Sequence, residues 1–280
     1  MTTPAIVTTE WLEAHLGRSD IRIADASWYL PQAGRDAKAE YSAAHIPGAV
    51  FFDIDALSDE TSPWPHMLPP ASVLARRLGS LGLGDGHHVV VYDGAGIYSS
   101  ARAWWMLRAM GHERVSVLDG GLPKWKRESR SLGSGRVSPS PAAFTPKLDT
   151  TLVRDFDHMM ENVRTAAEQV IDARGTPRFY AREPEPRPGV RGGHIPGSIN
   201  MPYTTFTTPD GCLQPPDTLR ALFARNGVDL SRPVVTSCGS GVTASIVFLA
   251  LEVAGARHAA LYDGSWSEWG ARPDAPVATD

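Results

Sequence analysis

Short apolar runs bounded by Gly, Pro and Asp alternate along this chain with longer stretches of helical period. Gln169–Asp172 reads as a short strand. Asp217 stands as an N-cap before a predicted helix over 218–226, which Gly227 ends in the C′ position. Val234–Ser237 has the continuous apolar character of a strand buried on both faces. The stretch 242–254 predicts an apolar helix closed by Gly255, and Leu261 with Tyr262 predicts a last short strand. In the first half, 72–78 and 101–110 predict helices in the equivalent places. Strands alternating with helices in this way predict an α/β chain whose parallel sheets are covered by helices on both faces.

The pattern occurs twice. Ala44-His45-Ile46-Pro47-Gly48-Ala49 returns as Gly193-His194-Ile195-Pro196-Gly197-Ser198, and Ile23-Ala24-Asp25-Ala26 as Val170-Ile171-Asp172-Ala173. The strand running from Val89 to Asp93 matches the one from Pro233 to Cys238. Leu118-Asp119-Gly120-Gly121, closing on Trp125, matches Tyr262-Asp263-Gly264-Ser265, closing on Trp269. Four blocks in one order define a duplicated domain. The predicted organisation is a first domain over 1–127, a Ser-, Pro- and Gly-rich linker over 128–150 and a second domain over 151–280.

Composition narrows the function. With 27 basic and 31 acidic residues in 280, no global charge draws the chain to nucleic acid or an anionic membrane surface. The longest apolar run, Ile246 to Leu251, is too short to span a bilayer. The first residues lack the basic start and apolar run of a secretory signal, so a cytoplasmic location is expected. Two cysteines, Cys212 and Cys238, cannot build a disulfide framework, and no Cys/His cluster has metal spacing.

The chemistry concentrates at Cys238. Strand Val234–Ser237 runs directly into Cys238-Gly239-Ser240-Gly241-Val242-Thr243 and then a helix. Such a loop turns several backbone N–H groups inward, and the helix dipole adds positive potential. Two glycines let the backbone curl and approach a ligand. That cradle favours a thiolate, and it suits a persulfide anion one atom longer. A buried structural cysteine followed by a turn is the plain alternative. The first repeat holds Asp93-Gly94-Ala95-Gly96 at this place, so only the second half carries a nucleophile.

Cys238-Gly239-Ser240-Gly241-Val242-Thr243-Ala244, the two His-Ile-Pro-Gly blocks and the closing Tyr262-Asp263-Gly264-Ser265-Trp266-x-Glu268-Trp269 resemble the 3-mercaptopyruvate sulfurtransferases of the tandem rhodanese family. The resemblance runs from about Val7 to Trp269. It implies two α/β rhodanese-like domains, the second catalytic, with a persulfide on Cys238 and no separate cofactor. Thiosulfate-preferring relatives carry basic residues in the loop after the cysteine, where this chain has neutral Gly239 and Ser240. Mercaptopyruvate instead presents a carboxylate beside a ketone, which calls for guanidinium groups.

The resemblance also implies a site. Arg178 and Arg187 would bind the substrate, and Gly239, Gly241, Val242 and Thr243 would line the persulfide cradle. Asp55, His66 and Ser240 would form a proton relay, with Tyr98 nearby. Arg182 and Arg191 fit the family spacing less well. A thiol such as a thioredoxin-like dithiol protein, or cyanide, would accept the sulfur. His45, His194, Asp119 and Asp263 repeat in both halves and so read as structural. Cys212 reads as inert, and Ser245 stands where related loops often have a second cysteine. The rivals are a thiosulfate:cyanide sulfurtransferase on the same fold and a noncatalytic sulfur-carrier or scaffold module. A cysteine phosphatase would need an arginine where this chain has Ala244.

Overall fold

Among the described residues every strand lies parallel to its neighbours, as expected where helical crossovers separate successive strands. The computed structural model describes residues 3–280 and divides them into two units. Unit 1 holds the residues up to Glu60, Pro69–Asp149 and the segment Thr207–Leu213. Its strands are β1 (Ile6–Val7), β2 (Ile21–Asp25), β3 (Val50–Phe51), β4 (His88–Tyr92) and β5 (Val115–Leu118), in the order β1-β5-β4-β2-β3. Unit 2 holds Thr61–Leu68, Thr150–Phe206 and Gln214–Asp280. Its strands are β6 (Val153–Arg154), β7 (Gln169–Asp172), β8 (Ile199–Asn200), β9 (Val234–Ser237) and β10 (Ala259–Tyr262), in the order β6-β10-β9-β7-β8. The second sheet repeats the first strand for strand.

The apolar runs become the middle of each sheet. All five residues of β4 and all four of β9 are buried, which a strand covered on both faces requires. In unit 1, Ile23, Val90, Leu118 and Trp125 join one core; in unit 2, Val170, Val235, Tyr262 and Trp269 form its counterpart. The two tryptophans serve the same purpose. Trp125 Nε1 donates to the Ser131 carbonyl at 2.8 Å, and Trp269 Nε1 to the Pro276 carbonyl at 2.7 Å. Burial of such large rings is affordable because each N–H finds an acceptor.

Two helix starts differ from expectation. The helix Pro216–Arg225 begins two residues earlier, after Pro215, so Asp217 does not cap it but pairs with Arg220 at 2.5 Å. Proline has no N–H to leave unsatisfied, so it suits the first helical position. The apolar helix is Ala244–Ala254, leaving Val242 and Thr243 in the loop before it. The helices Ala71–Ser80 and Ser100–Ala109 occupy the places predicted for them.

The Ser-, Pro- and Gly-rich stretch after Arg127 runs along unit 1. Gly133 bridges to His45, Ala142 N donates to the Gly79 carbonyl at 2.9 Å, and Thr145 N donates to Asp85 at 2.8 Å. In unit 2 the C-terminal tail does the same thing, with Ala278 bridged to His194. No helix among the described residues is long and apolar enough to cross a membrane.

Candidate active site

The loop 238–243 leaves β9 at Ser237 and enters the helix Ala244–Ala254. Gly241 takes a left-handed φ of +79°, which glycine adopts without cost, and its carbonyl accepts a 2.8 Å bond from Ser245 Oγ. Cys238 itself is only 1% exposed. The turn after β10 holds the first loop residues. Ser265 Oγ accepts from Cys238 N at 3.3 Å, Trp266 N donates to the Cys238 carbonyl at 2.9 Å, and Ser267 N donates to the Gly239 carbonyl at 2.9 Å.

Unit 1 shows what this loop shape is built to hold. Asp93 occupies the place of Cys238, and its carboxylate accepts bonds from the backbone N–H groups of Ala95, Tyr98 and Ser100, each at 2.8 Å. A negative group on the first loop residue is thus met by several inward-turned amides. The corresponding position in unit 2 carries a thiol.

Two arginines converge on Gly239. The Arg178 guanidinium lies 3.2 Å from where a Cβ on Gly239 would sit, so a side chain there would have to displace it. Arg187 Nη1 donates to Ser267 Oγ at 3.3 Å, and Ser267 Oγ donates to the Gly239 carbonyl at 2.5 Å. Behind them stands a buried network that sequence reasoning missed. Arg174 binds Asp172 at 2.6 Å and Glu185 at 2.8 Å, and its guanidinium stacks 4.2 Å over the Trp266 ring. Glu185, its side chain 4% exposed, also holds Arg178 at 2.5 Å. Glu183-Pro184-Glu185-Pro186 stood out as a motif, but nothing local marks its second glutamate as the one that orients both arginines.

His66 reaches the same loop. It shares a 2.9 Å hydrogen bond with Ser240 through Nδ1, its direction set by the histidine tautomer. Unit 2 therefore brings together Cys238, Gly239, Ser240, Gly241, Val242, Thr243, Arg178, Arg187 and His66. Asp55 and Tyr98 belong to unit 1. There Asp55 accepts a 3.0 Å bond from Trp28 Nε1, and the Trp28 and Tyr98 rings stack with centroids 6.5 Å apart.

The repeated histidines hold turns. His45 Nδ1–H donates to the Tyr41 carbonyl at 2.9 Å and His194 Nδ1–H to the Phe179 carbonyl at 3.0 Å, each ring stacked on that aromatic neighbour. Arg191 is spent on the backbone carbonyls of Trp269, Gly270, Arg272 and Ala275, and Arg182 lies over the Tyr180 ring. In unit 1, burial and the nearby Asp119 raise the Cys212 thiol above its usual range, which makes it a poor nucleophile.

Known proteins resemble this chain over most of its length. The rhodanese-like domain family matches twice, over residues 8–128 and 153–272. The human 3-mercaptopyruvate sulfurtransferase is 47% identical over 278 residues, covering 96% of this chain and 94% of its own. The thiosulfate sulfurtransferase of Cricetulus griseus is 43% identical over 272 residues, covering 95% and 91%. Among solved structures, SseA from Escherichia coli, described as a 3-mercaptopyruvate sulfotransferase, superposes with a TM-score of 0.86 at 42% identity, covering 94% of this chain and 99% of that one. With two family matches and near-half identity along almost its whole length, the chain belongs to the rhodanese-like family, in the tandem two-domain form shared by the 3-mercaptopyruvate sulfurtransferases.

Proposed function

We propose that this chain is a 3-mercaptopyruvate sulfurtransferase that works through a persulfide on Cys238. The observation that carries the reading is the convergence of Arg178 and Arg187 on a neutral Gly239 beside the buried thiol. A guanidinium pair suits the carboxylate and ketone of mercaptopyruvate, and the glycine leaves the room that a basic side chain would take.

In this reading the Cys238 thiolate attacks the sulfur of mercaptopyruvate, held by Arg178 and Arg187. The new S–S bond forms as the C–S bond breaks, and its electron pair passes to carbon as the enolate of pyruvate. Ser240, hydrogen-bonded to His66, delivers the proton that completes pyruvate, and the donor's thiol proton leaves the new persulfide to balance it. The amides of Gly239, Gly241, Val242 and Thr243 hold the persulfide anion; of the three unit 1 amides that meet Asp93, that of Tyr98 stands at one of these places, matching Thr243. A thiol, a dithiol protein of the thioredoxin kind or cyanide then takes the outer sulfur and regenerates the thiolate. Asp55 and Tyr98 enter this scheme through the family resemblance alone. A catalytic thiolate needs a reducing compartment, which fits a cytoplasmic setting.

The test is pyruvate release from 3-mercaptopyruvate beside sulfur transfer from thiosulfate, for wild type and Cys238→Ser. Turnover favouring mercaptopyruvate and falling by at least about a thousandfold in Cys238→Ser supports the reading. A preference for thiosulfate keeps the nucleophile and removes the donor assignment. Turnover of neither donor leaves a noncatalytic carrier as the function.

A further inference from the structure

His66 sits in unusual backbone. Its φ is +63°, in the left-handed region that side chains with a Cβ avoid, and at that angle its ring meets Ser240. Two residues on, the Leu68 N–H is held by Asp263 Oδ2 at 2.7 Å. Asp263 directly follows β10 and is 3% exposed.

Unit 1 contains the same device with the chemistry removed. Asp119, the repeat counterpart of Asp263, accepts a 2.8 Å bond through Oδ1 from Leu213 N. Two residues before Leu213, Gly211 takes φ +80° and packs against Gly96 and the Ala95 carbonyl, in the loop that matches 238–243. The aspartate, the bonded N–H and the left-handed residue two places earlier therefore recur at one spacing. In unit 1 the left-handed place holds glycine, the residue suited to it, and faces an alanine. In unit 2 it holds a histidine that pays the backbone cost and faces a serine.

We propose that Asp263 is a positioning residue. Through the Leu68 N–H it fixes the left-handed turn that carries His66, and so sets the His66–Ser240 hydrogen bond. This rests on the reading above in which Ser240 and His66 protonate the departing enolate. Asp263 touches neither donor nor persulfide in this scheme, so its effect is confined to the pyruvate-releasing half-reaction.

The experiment separates the two half-reactions in single turnovers: pyruvate release on loading Cys238 from 3-mercaptopyruvate, and discharge of the loaded persulfide to cyanide. Asp263→Ala slows loading by at least about tenfold, a part of the roughly 10²–10⁴-fold that a positioned general acid supplies, and leaves discharge within about twofold. Asp263→Asn, which keeps an acceptor oxygen for Leu68 N–H, recovers most of the rate. Leu68→Pro deletes the donor while leaving Asp263 intact, and it reproduces Asp263→Ala even if that variant folds poorly. In a His66→Ala background, Asp263→Ala adds no further loss, because both act on one step through one group. Loading within twofold of wild type in both Asp263→Ala and Leu68→Pro overturns the proposal. Equal slowing of loading and discharge, or losses that multiply with His66→Ala, also overturn it. If His66→Ala alone leaves loading unchanged, the proton-transfer reading fails first, and that outcome is distinct from failure of the Asp263 link.

Discussion

Gly239 ties the donor preference to a single missing side chain. Its Cβ position lies 3.2 Å from the Arg178 guanidinium, and its carbonyl is bonded by Ser267, which also accepts from Arg187. Gly239→Arg adds a cation where Arg178 now lies and pushes that guanidinium toward Glu185, its existing partner. The KM for 3-mercaptopyruvate is expected to rise by about tenfold or more as an aligned charge-assisted contact is lost. Turnover of thiosulfate, a compact dianion, should rise relative to it. Ratios of kcat/KM for the two donors check this, and an unchanged ratio would separate Gly239 from donor choice. The glycine was legible in the sequence as part of the Gly-x-Gly loop, but it is Gly241 that takes the left-handed φ, and what Gly239 supplies is room beside Arg178. The role of Glu185 was not legible, because it depends on side chains eleven and seven residues earlier folding back onto it across a proline-rich turn.

At the level of elements, the strand–loop–helix unit was readable because its signals are local: an apolar strand, glycines, then an apolar helix. The places where the reading slipped are also local. Asp217 looks like a cap until Pro215 and Pro216 start the helix ahead of it, and Val242 looks helical by hydrophobicity while its carbonyl instead accepts from Ser245 N in a tighter turn. The placement of His66 on the Cys238 loop was beyond local reading, since the two residues of that bond are 174 positions apart. The duplicated loop offers its own test. In unit 1 the Asp93 carboxylate satisfies three backbone N–H groups, the bond to Ser100 N being fully buried. Asp93→Ala leaves those donors without their acceptor, at an expected cost of about 2–4 kcal/mol. Urea unfolding followed by a probe in unit 1 should show its midpoint fall. A midpoint equal to wild type would mean that the loop does not depend on an internal anion.

At the scale of the whole molecule, duplication made the fold legible: two copies of one pattern predicted two parallel sheets, and the strand orders match position for position. Duplication does not make the units alike in their response to acid. In unit 1, β4 opens on His88, whose ring is buried, bonded through Nε2 to Ser116 Oγ at 2.8 Å and set against Trp11. In unit 2 the repeat places Pro233 there, just before β9. Burial first, and then the nearby Arg114, push His88 down to about 4 from an ordinary histidine value of 6.5. His87 and His112 shift downward as well, again chiefly through burial. The unfolded chain therefore binds protons below pH 6.5 that folded unit 1 refuses until about pH 4, so stability is complete above 6.5 and is lost as pH falls through that window. Between pH 7 and pH 5 His88 alone should cost unit 1 on the order of 1–2 kcal/mol. His88→Gln keeps a polar partner for Ser116 without a titrating group. Denaturant melts at the two pH values should therefore show a smaller acid loss in His88→Gln than in wild type, confined to the unit 1 transition. An equal loss in the variant would place the acid sensitivity elsewhere.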